Sequence, residues 1–171
     1  MKYLVSLLVI IISFTVLGMK TNTLERWDPG EFSYEDSVFY AGQTKTLYIV
    51  YDYNRGGDID PSSVFLADSI VAFMNENKHL TIEISNHTDC RGNDNYNIQL
   101  STKRAMAVMN YLISKGIDSK RLTSFGAGER KYLYSEEYIT QNGKTTEEKE
   151  LMHQKNRRTV LKITSVNYEK K

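Results

Sequence analysis

Apolar and polar positions along this chain switch between two periods, and the switches mark out its elements. In "TLYIVYDY" (46–53), Leu47, Ile49 and Tyr51 recur at every second position, which predicts a strand with one face buried. "NRGGD" then breaks the run, because paired glycines supply turn conformations. Asp60-Pro61-Ser62 has the form of a helix start, with a capping carboxylate and a proline at the first helical position. Val64, Ala67, Val71 and Met74 come next at three- and four-residue steps, widened by Leu66, Ile70 and Phe73, and predict an amphipathic helix to about Asn77. "HLTIEIS" alternates cleanly through Leu80, Ile82 and Ile84, a second half-buried strand. Ala105, Val108, Met109, Leu112 and Ile113 predict a helix from Leu100 or Ser101 to Lys115, with Gly116 in the C-terminal cap position. "RLTSFGAGE" (121–129) reads as a short strand entering a glycine turn, residues 130–146 as a loop, "EEKELMHQKNRR" as a helix and "TVLKITSV" as the last strand. The order β-α-β-α-β-(α)-β predicts an α/β chain of the α+β sandwich kind: a single mixed sheet with helices packed on one face.

The ends of this pattern are less regular. Residues 1–18 open with Met1-Lys2 and continue as "YLVSLLVIIISFTVLG", uncharged until Lys20. One positive charge ahead of an apolar core shorter than the roughly 20 residues of a spanning helix predicts a secretory signal peptide, cut after Gly18. No cysteine stands after it to accept a lipid, which argues against attachment through an N-terminal Cys. Residues 19–45 read as a polar, mostly irregular lead-in that packs locally through Trp27, Phe32, Tyr34, Phe39 and Tyr40, and residues 46–171 as the domain proper. An exported chain with one cysteine, Cys90, has no internal disulfide, so core packing alone must hold the domain. With 40% hydrophobic residues, enough apolar material for such a core is present. The formal net charge of +1 provides no field to recruit nucleic acid, and the aromatics do not interleave with a basic stripe.

Chemistry-bearing residues concentrate after the second strand, in "SNHTDCRGNDNYNIQLSTKRAMAV" (85–108). His87, Asp89 and Cys90, supplemented by His79 or His153, are metal-ligand types. Neighbouring loop residues rarely converge on one ion, however, and no CxxC, HxxxH or HExxH spacing occurs, so no metal site is expected. A Cys90–His87 nucleophile pair would need a third, orienting group that the sequence does not supply. A further reading is structural, with His87 and Asp89 hydrogen-bonding the loop together.

Together with the residues downstream of it, this stretch resembles the OmpA-like C-terminal domain family, the domain shared by OmpA, Pal and MotB-type proteins. The resemblance rests on His87-Thr88-Asp89, Gly92, Asn97, Leu100-Ser101, Arg104-Ala105, Tyr111-Leu112, Gly116-Ile117, Arg121-Leu122, Gly126-Ala127-Gly128-Glu129 and Asn156-Arg157-Arg158, in order, across about residues 47–165. Cys90 in "HTDCRG" resembles a Bacteroidetes-like subset, although the 130–155 segment lacks that subset's cysteines. What the resemblance implies is noncovalent peptidoglycan binding: Asp89 and Arg104 would hold the two ends of a diaminopimelate side chain. Thr88, Asn97, Arg157 and Asp52 match further pocket positions. The "NRGGD" turn is longer than is usual in the family. Acceptance from an ammonium by Asp89 and a planar fork from Arg104 suit a zwitterionic ligand.

Three functions are compatible with these features to different degrees. The first is a non-enzymatic wall-binding module, periplasmic and peripheral to the outer membrane, with no cofactor. The second is an envelope scaffold whose outer-membrane or periplasmic protein partner contacts the aromatic lead-in and Tyr132, Tyr134 and Tyr138. The third, a stator-type subunit, requires an acid in its membrane helix, and residues 3–18 contain none. No complete nucleophile set emerges, so an enzyme is not expected.

Overall fold

The computed structural model describes residues 28–52 and 57–169; the expected signal peptide, the start of the lead-in and part of the "NRGGD" turn lie outside them. Four strands form one mixed sheet in the order β1-β4-β2-β3: β1 Thr44–Leu47, β2 Thr81–His87, β3 Leu122–Gly128 and β4 Thr159–Ser165. β2 and β3 run parallel, with α2 between them in sequence, whereas β4 is antiparallel to both β1 and β2. The helices are α1 Val64–Glu76, α2 Asp94–Ser114, α3 Glu136–Asn142 and α4 Thr146–Asn156. Among the described residues, no helix is long and apolar enough to cross a membrane.

The core forms where α1 and α2 meet the sheet. Ile70, Phe73 and Met74 of α1 and Val108 and Leu112 of α2 close over Ile82, Ile84, Leu161 and Ile163. The irregular lead-in adds to this core. Phe32 stacks on Phe73 at 5.2 Å and Phe39 meets Phe73 edge-on at 5.4 Å, favourable ring geometries. Backbone bonds from Phe32 N–H to Thr44 O and from Gly42 N–H to Ile163 O secure it against the sheet.

Three boundaries differ from those the pattern predicts. Pairing of the first strand with β4 ends at Leu47, although Leu47 and Ile49 are buried as the alternation requires. Beyond it the chain pairs with its own continuation: Val50 N–H donates to Ser63 Oγ, Asp60 N–H to Val50 O, and Tyr51 bridges Ile59. α2 begins at Asp94 rather than Leu100, because Asn93 caps it by accepting from Asn95 and Tyr96 N–H. That first turn and a half has only Tyr96 and Ile98 as apolar positions, two residues apart rather than at helical spacing, so apolar periodicity gave no sign of it. The segment read as a loop, 130–146, contains α3, capped by Ser135 and anchored by buried Ile139. α4 has a capping box between Thr145 and Glu148.

Candidate functional site

The end of β2 is where the sheet changes register. The β2–β3 pairing shifts between Asn86 and His87, so that His87 faces Gly128, a turn glycine with φ +55°. Thr88 N–H donates to Gly128 O and His87 N–H to Arg158 O, which carries the loop Thr88–Arg91 past the sheet edge in a defined direction.

Asp89 sits in that loop with a side chain only 10% exposed. Its Oδ1 accepts from Arg91 N–H at 3.1 Å, a turn-closing bond, and its Oδ2 accepts from Arg91 Nη2 at 2.7 Å and from Arg157 Nη1. Glu150 bonds the outer sides of the same arginines, to Arg91 Nη1 at 3.0 Å and Arg157 Nη2 at 2.7 Å. Burial raises the Asp89 pKa, but the bonds from Arg91 and Arg157 outweigh it and hold the carboxyl below its usual range. Two carboxylates and two guanidiniums thus form a closed, charge-neutral square.

Arg104 projects from the middle of α2 into a neighbouring cleft of about 650 Å³. Tyr51, Asn86, His87, Arg157, Lys155 and Leu151 are among its walls. The Arg104 guanidinium lies 5.1 Å from the Tyr51 ring centre, within cation–π range. The Tyr51 hydroxyl is held by Thr159 Oγ1 at 2.7 Å and Asn86 Nδ2 at 3.2 Å. Burial pushes the Tyr51 phenol up to about 12, so it is a neutral group. Burial, reinforced by the charges of Arg158 and Lys131, holds His87 down to about 4, so it too is neutral at physiological pH. Among the described residues, five buried side-chain polar atoms have no hydrogen-bond partner; besides Tyr34 Oη in the lead-in, these are Asn86 Oδ1, His87 Nδ1 and Arg104 Nε on cleft-lining residues and Thr88 Oγ1 next to them in sequence. Unpaired buried polar atoms are costly, and the gathering of the latter four at one place suits a polar ligand.

Each residue singled out from the sequence can now be placed. Asp89 and Arg157 are in direct contact, and Arg157 and Arg104 line the same cleft. Thr88 is buried and follows His87, a cleft-lining residue, but is not itself part of the lining. Asn97 is buried and spends its amide on Arg91 O at 3.1 Å and Glu129 Oε2 at 3.3 Å, so it braces the loop. Asp52 stands outside the cleft lining, its N–H bonded to Asp58 O. Sequence reasoning passed over Arg91, Glu150 and Tyr51. Arg91 could have been found from its place two residues beyond Asp89, the spacing of a side-chain turn, and Glu150 from lying two helical turns before Arg157.

Cys90 is not among the residues that line the cleft. Its Sγ lies 3.0 Å from Glu136 Oε2 and 3.9 Å from His153 Nδ1. Burial and the Glu136 carboxylate push the thiol up to about 12, the opposite of what a nucleophile needs.

Known proteins share the family and the fold. The model of a family described as the OmpA family matches residues 54–146. The chain is 34% identical over 87 residues to the peptidoglycan-associated lipoprotein of Pasteurella multocida, covering 50% of this chain and 55% of that protein. It is 32% identical over 131 residues to the peptidoglycan-associated lipoprotein of Buchnera aphidicola, covering 77% and 68%. The crystal structure of the peptidoglycan-associated lipoprotein from Burkholderia pseudomallei shares the fold with a TM-score of 0.53 and 22% identity, covering 67% of this chain and 87% of that one. The chain spans about half the length of the curated relatives from Pasteurella and Haemophilus that it matches, 55% and 54%.

Proposed function

The chain belongs to the OmpA family, and from that premise we propose that it binds peptidoglycan noncovalently in the cell envelope, through the Arg104 cleft and the adjoining Asp89 loop. The observation that carries this reading is the set of unpartnered polar atoms on Asn86, His87, Thr88 and Arg104. They offer a ligand hydrogen bonds that the folded chain does not itself use.

The charge balance supports a zwitterionic ligand. Arg91, Arg104 and Arg157 contribute three positive charges against two from Asp89 and Glu150, a surplus of one, and Lys155 adds to the rim. A ligand carboxylate fits the Arg104 fork. Asp89 Oδ1 accepts from Arg91 N–H, and a carboxylate oxygen has two acceptor sites, so a ligand ammonium has a place to dock. Diaminopimelate, an amino-acid end carrying both groups, meets the two requirements together. The chain carries out this function by binding alone, with no bond made or broken.

The test is a titration of the purified chain with a stem peptide ending in diaminopimelate and with its lysine counterpart, monitored by backbone amide shifts. Shifts confined to residues 86–91 and to α2 around Arg104, larger for diaminopimelate than for lysine, are the expected result. No shift with either peptide contradicts the reading.

One further observation favours an additional protein contact. Tyr48, Val50 and Leu151 on the cleft rim are each about half exposed, an apolar border beside the charged floor. Photocrosslinking from position 48 in intact cells would capture a protein neighbour, and capture of wall fragments alone would remove this second reading.

A further inference from the structure

We propose that Cys90, Glu136 and His153 form a binding site for a divalent transition-metal ion of the zinc(II) class, beside the wall-binding cleft but separate from it. The three residues come from distant parts of the chain: the loop after β2, the first residue of α3 and the last turn of α4. Sequence separations of 46 and 63 residues hid this convergence from any spacing motif. Their ligand atoms nevertheless all lie within 4.8 Å of one another.

The dimensions suit a four-coordinate ion. With Zn–S near 2.3 Å and Zn–N and Zn–O near 2.0–2.1 Å, tetrahedral ligands stand about 3.3–3.6 Å apart. The sulfur sits 3.0 Å from the Glu136 oxygen and 3.9 Å from the His153 nitrogen, on either side of that range. Adjustments of roughly half an ångström bring both sulfur separations into range, and the Glu136–His153 separation, within 4.8 Å, closes as the Glu136 side chain moves. Glu136 is exposed at a helix start and free to make its share of this movement, while His153 is buried and fixes the third donor. Cys90 is only partly buried, which leaves the fourth position to a water molecule.

The donor chemistry selects the ion. Thiolate, imidazole and carboxylate together favour zinc(II) and cobalt(II) over magnesium or calcium, which prefer all-oxygen shells. On binding, the metal replaces the thiol proton that now faces Glu136, and that proton leaves to water. Thiolate and carboxylate then balance the ion's two positive charges. Among the described residues, no lysine or arginine pairs with Glu136; the nearby Arg91 and Arg157 are engaged by Asp89 and Glu150. A thiol–carboxylate hydrogen bond alone would explain two of the three residues, but not an imidazole from another helix directed at the same sulfur.

Such an ion would tie α3 and α4 to the loop that carries Asp89. The experiment is a titration of the reduced, purified chain with cobalt(II), then displacement by zinc(II), with melting curves at each step. The expected result is one ion per chain, a thiolate-to-cobalt charge-transfer band lost on zinc addition, and a melting temperature that rises until one equivalent is bound. Cys90→Ser should abolish the band and weaken zinc binding at least tenfold by calorimetry, and Glu136→Gln, at an exposed position that leaves folding intact, should weaken it at least tenfold. The absence of a charge-transfer band in the wild type overturns the proposal. So does undiminished zinc affinity in either variant. None of these readouts involves peptidoglycan, so the proposal does not rest on wall binding.

Discussion

Replacing Gly126 by alanine should loosen the helix that carries Arg104. Gly126 lies within β3 and has no left-handed backbone, so alanine can adopt its conformation and the whole effect is steric. A Cβ there would sit 2.7 Å from Thr102 Cα in α2, with Thr102 N and Oγ1 nearer still. Ordinary contact begins at 3.4 Å and the nearest backbone atom, Thr102 N, would lie at 2.4 Å, so the helix must retreat by about 1.0 Å, the difference between the two. The obstacle is helix backbone, which cannot rotate aside, and overpacking of this kind costs about 3 kcal/mol. The lower chain entropy of unfolded alanine offsets up to about 1 kcal/mol of that. A net loss of about 2 kcal/mol should lower the melting temperature by roughly 4–8 °C, measured by calorimetry and checked by urea unfolding. Because Arg104 is two residues beyond Thr102 on the same helix, affinity for the wall should fall as well. Gly30→Ala is the comparison: it has φ +74° and open space around it, so only the conformational cost applies, about 1 kcal/mol. The reasoning is refuted if Gly126→Ala destabilises the chain less than Gly30→Ala does.

Two buried side chains give further expected outcomes. His87 has its pKa held down to about 4 by burial first and by Arg158 and Lys131 second, so below its unfolded value near 6.5 the unfolded chain takes up the proton more readily. The stability contributed by neutral His87 is complete above that value and is lost as pH falls towards 4; melting curves across this window should be flatter for His87→Gln, and parallel curves would contradict the assignment. Asn156, fully buried, accepts from Leu133 and Tyr134 N–H and donates to Tyr134 O. Asn156→Ala should leave those groups unpaired at a cost of about 2–3 kcal/mol, and amide exchange at 133 and 134 should accelerate while that of β2 is unchanged.

How much of this was legible in the chain differs from element to element. The strand at Leu80–Ile84 and the stripe of α1 could be read directly, because burial on one face imposes a period that survives in the residues themselves. The start of α2 could not, since Asp94–Gln99 owes its helical state to the Asn93 cap and to tertiary contacts of Asn97 rather than to an apolar stripe. α3 was hidden for a similar reason: Ile139 alone anchors it in the core. In the site, His87-Thr88-Asp89 and Arg104 stood out through the family resemblance. The Arg91–Asp89–Arg157–Glu150 square is a product of folding, assembled from a loop, a helix and the residue just after that helix. Cys90 was equally opaque: its neighbours Glu136 and His153 are visible only once α3 and α4 are placed.

The central claim is that Asp89 and Arg104 together grip the wall. Co-sedimentation of the purified chain with isolated diaminopimelate-type sacculi tests it most directly, using Asp89→Asn and Arg104→Met with folding verified by circular dichroism. Arg104→Met keeps an apolar stem against Tyr51 while removing the fork, so it isolates the carboxylate contact. Wild-type protein should pellet with sacculi, each single variant should pellet at least tenfold less, and the double variant should remain in solution. Wild-type protein that stays in the supernatant, or variants that pellet as it does, would contradict the account.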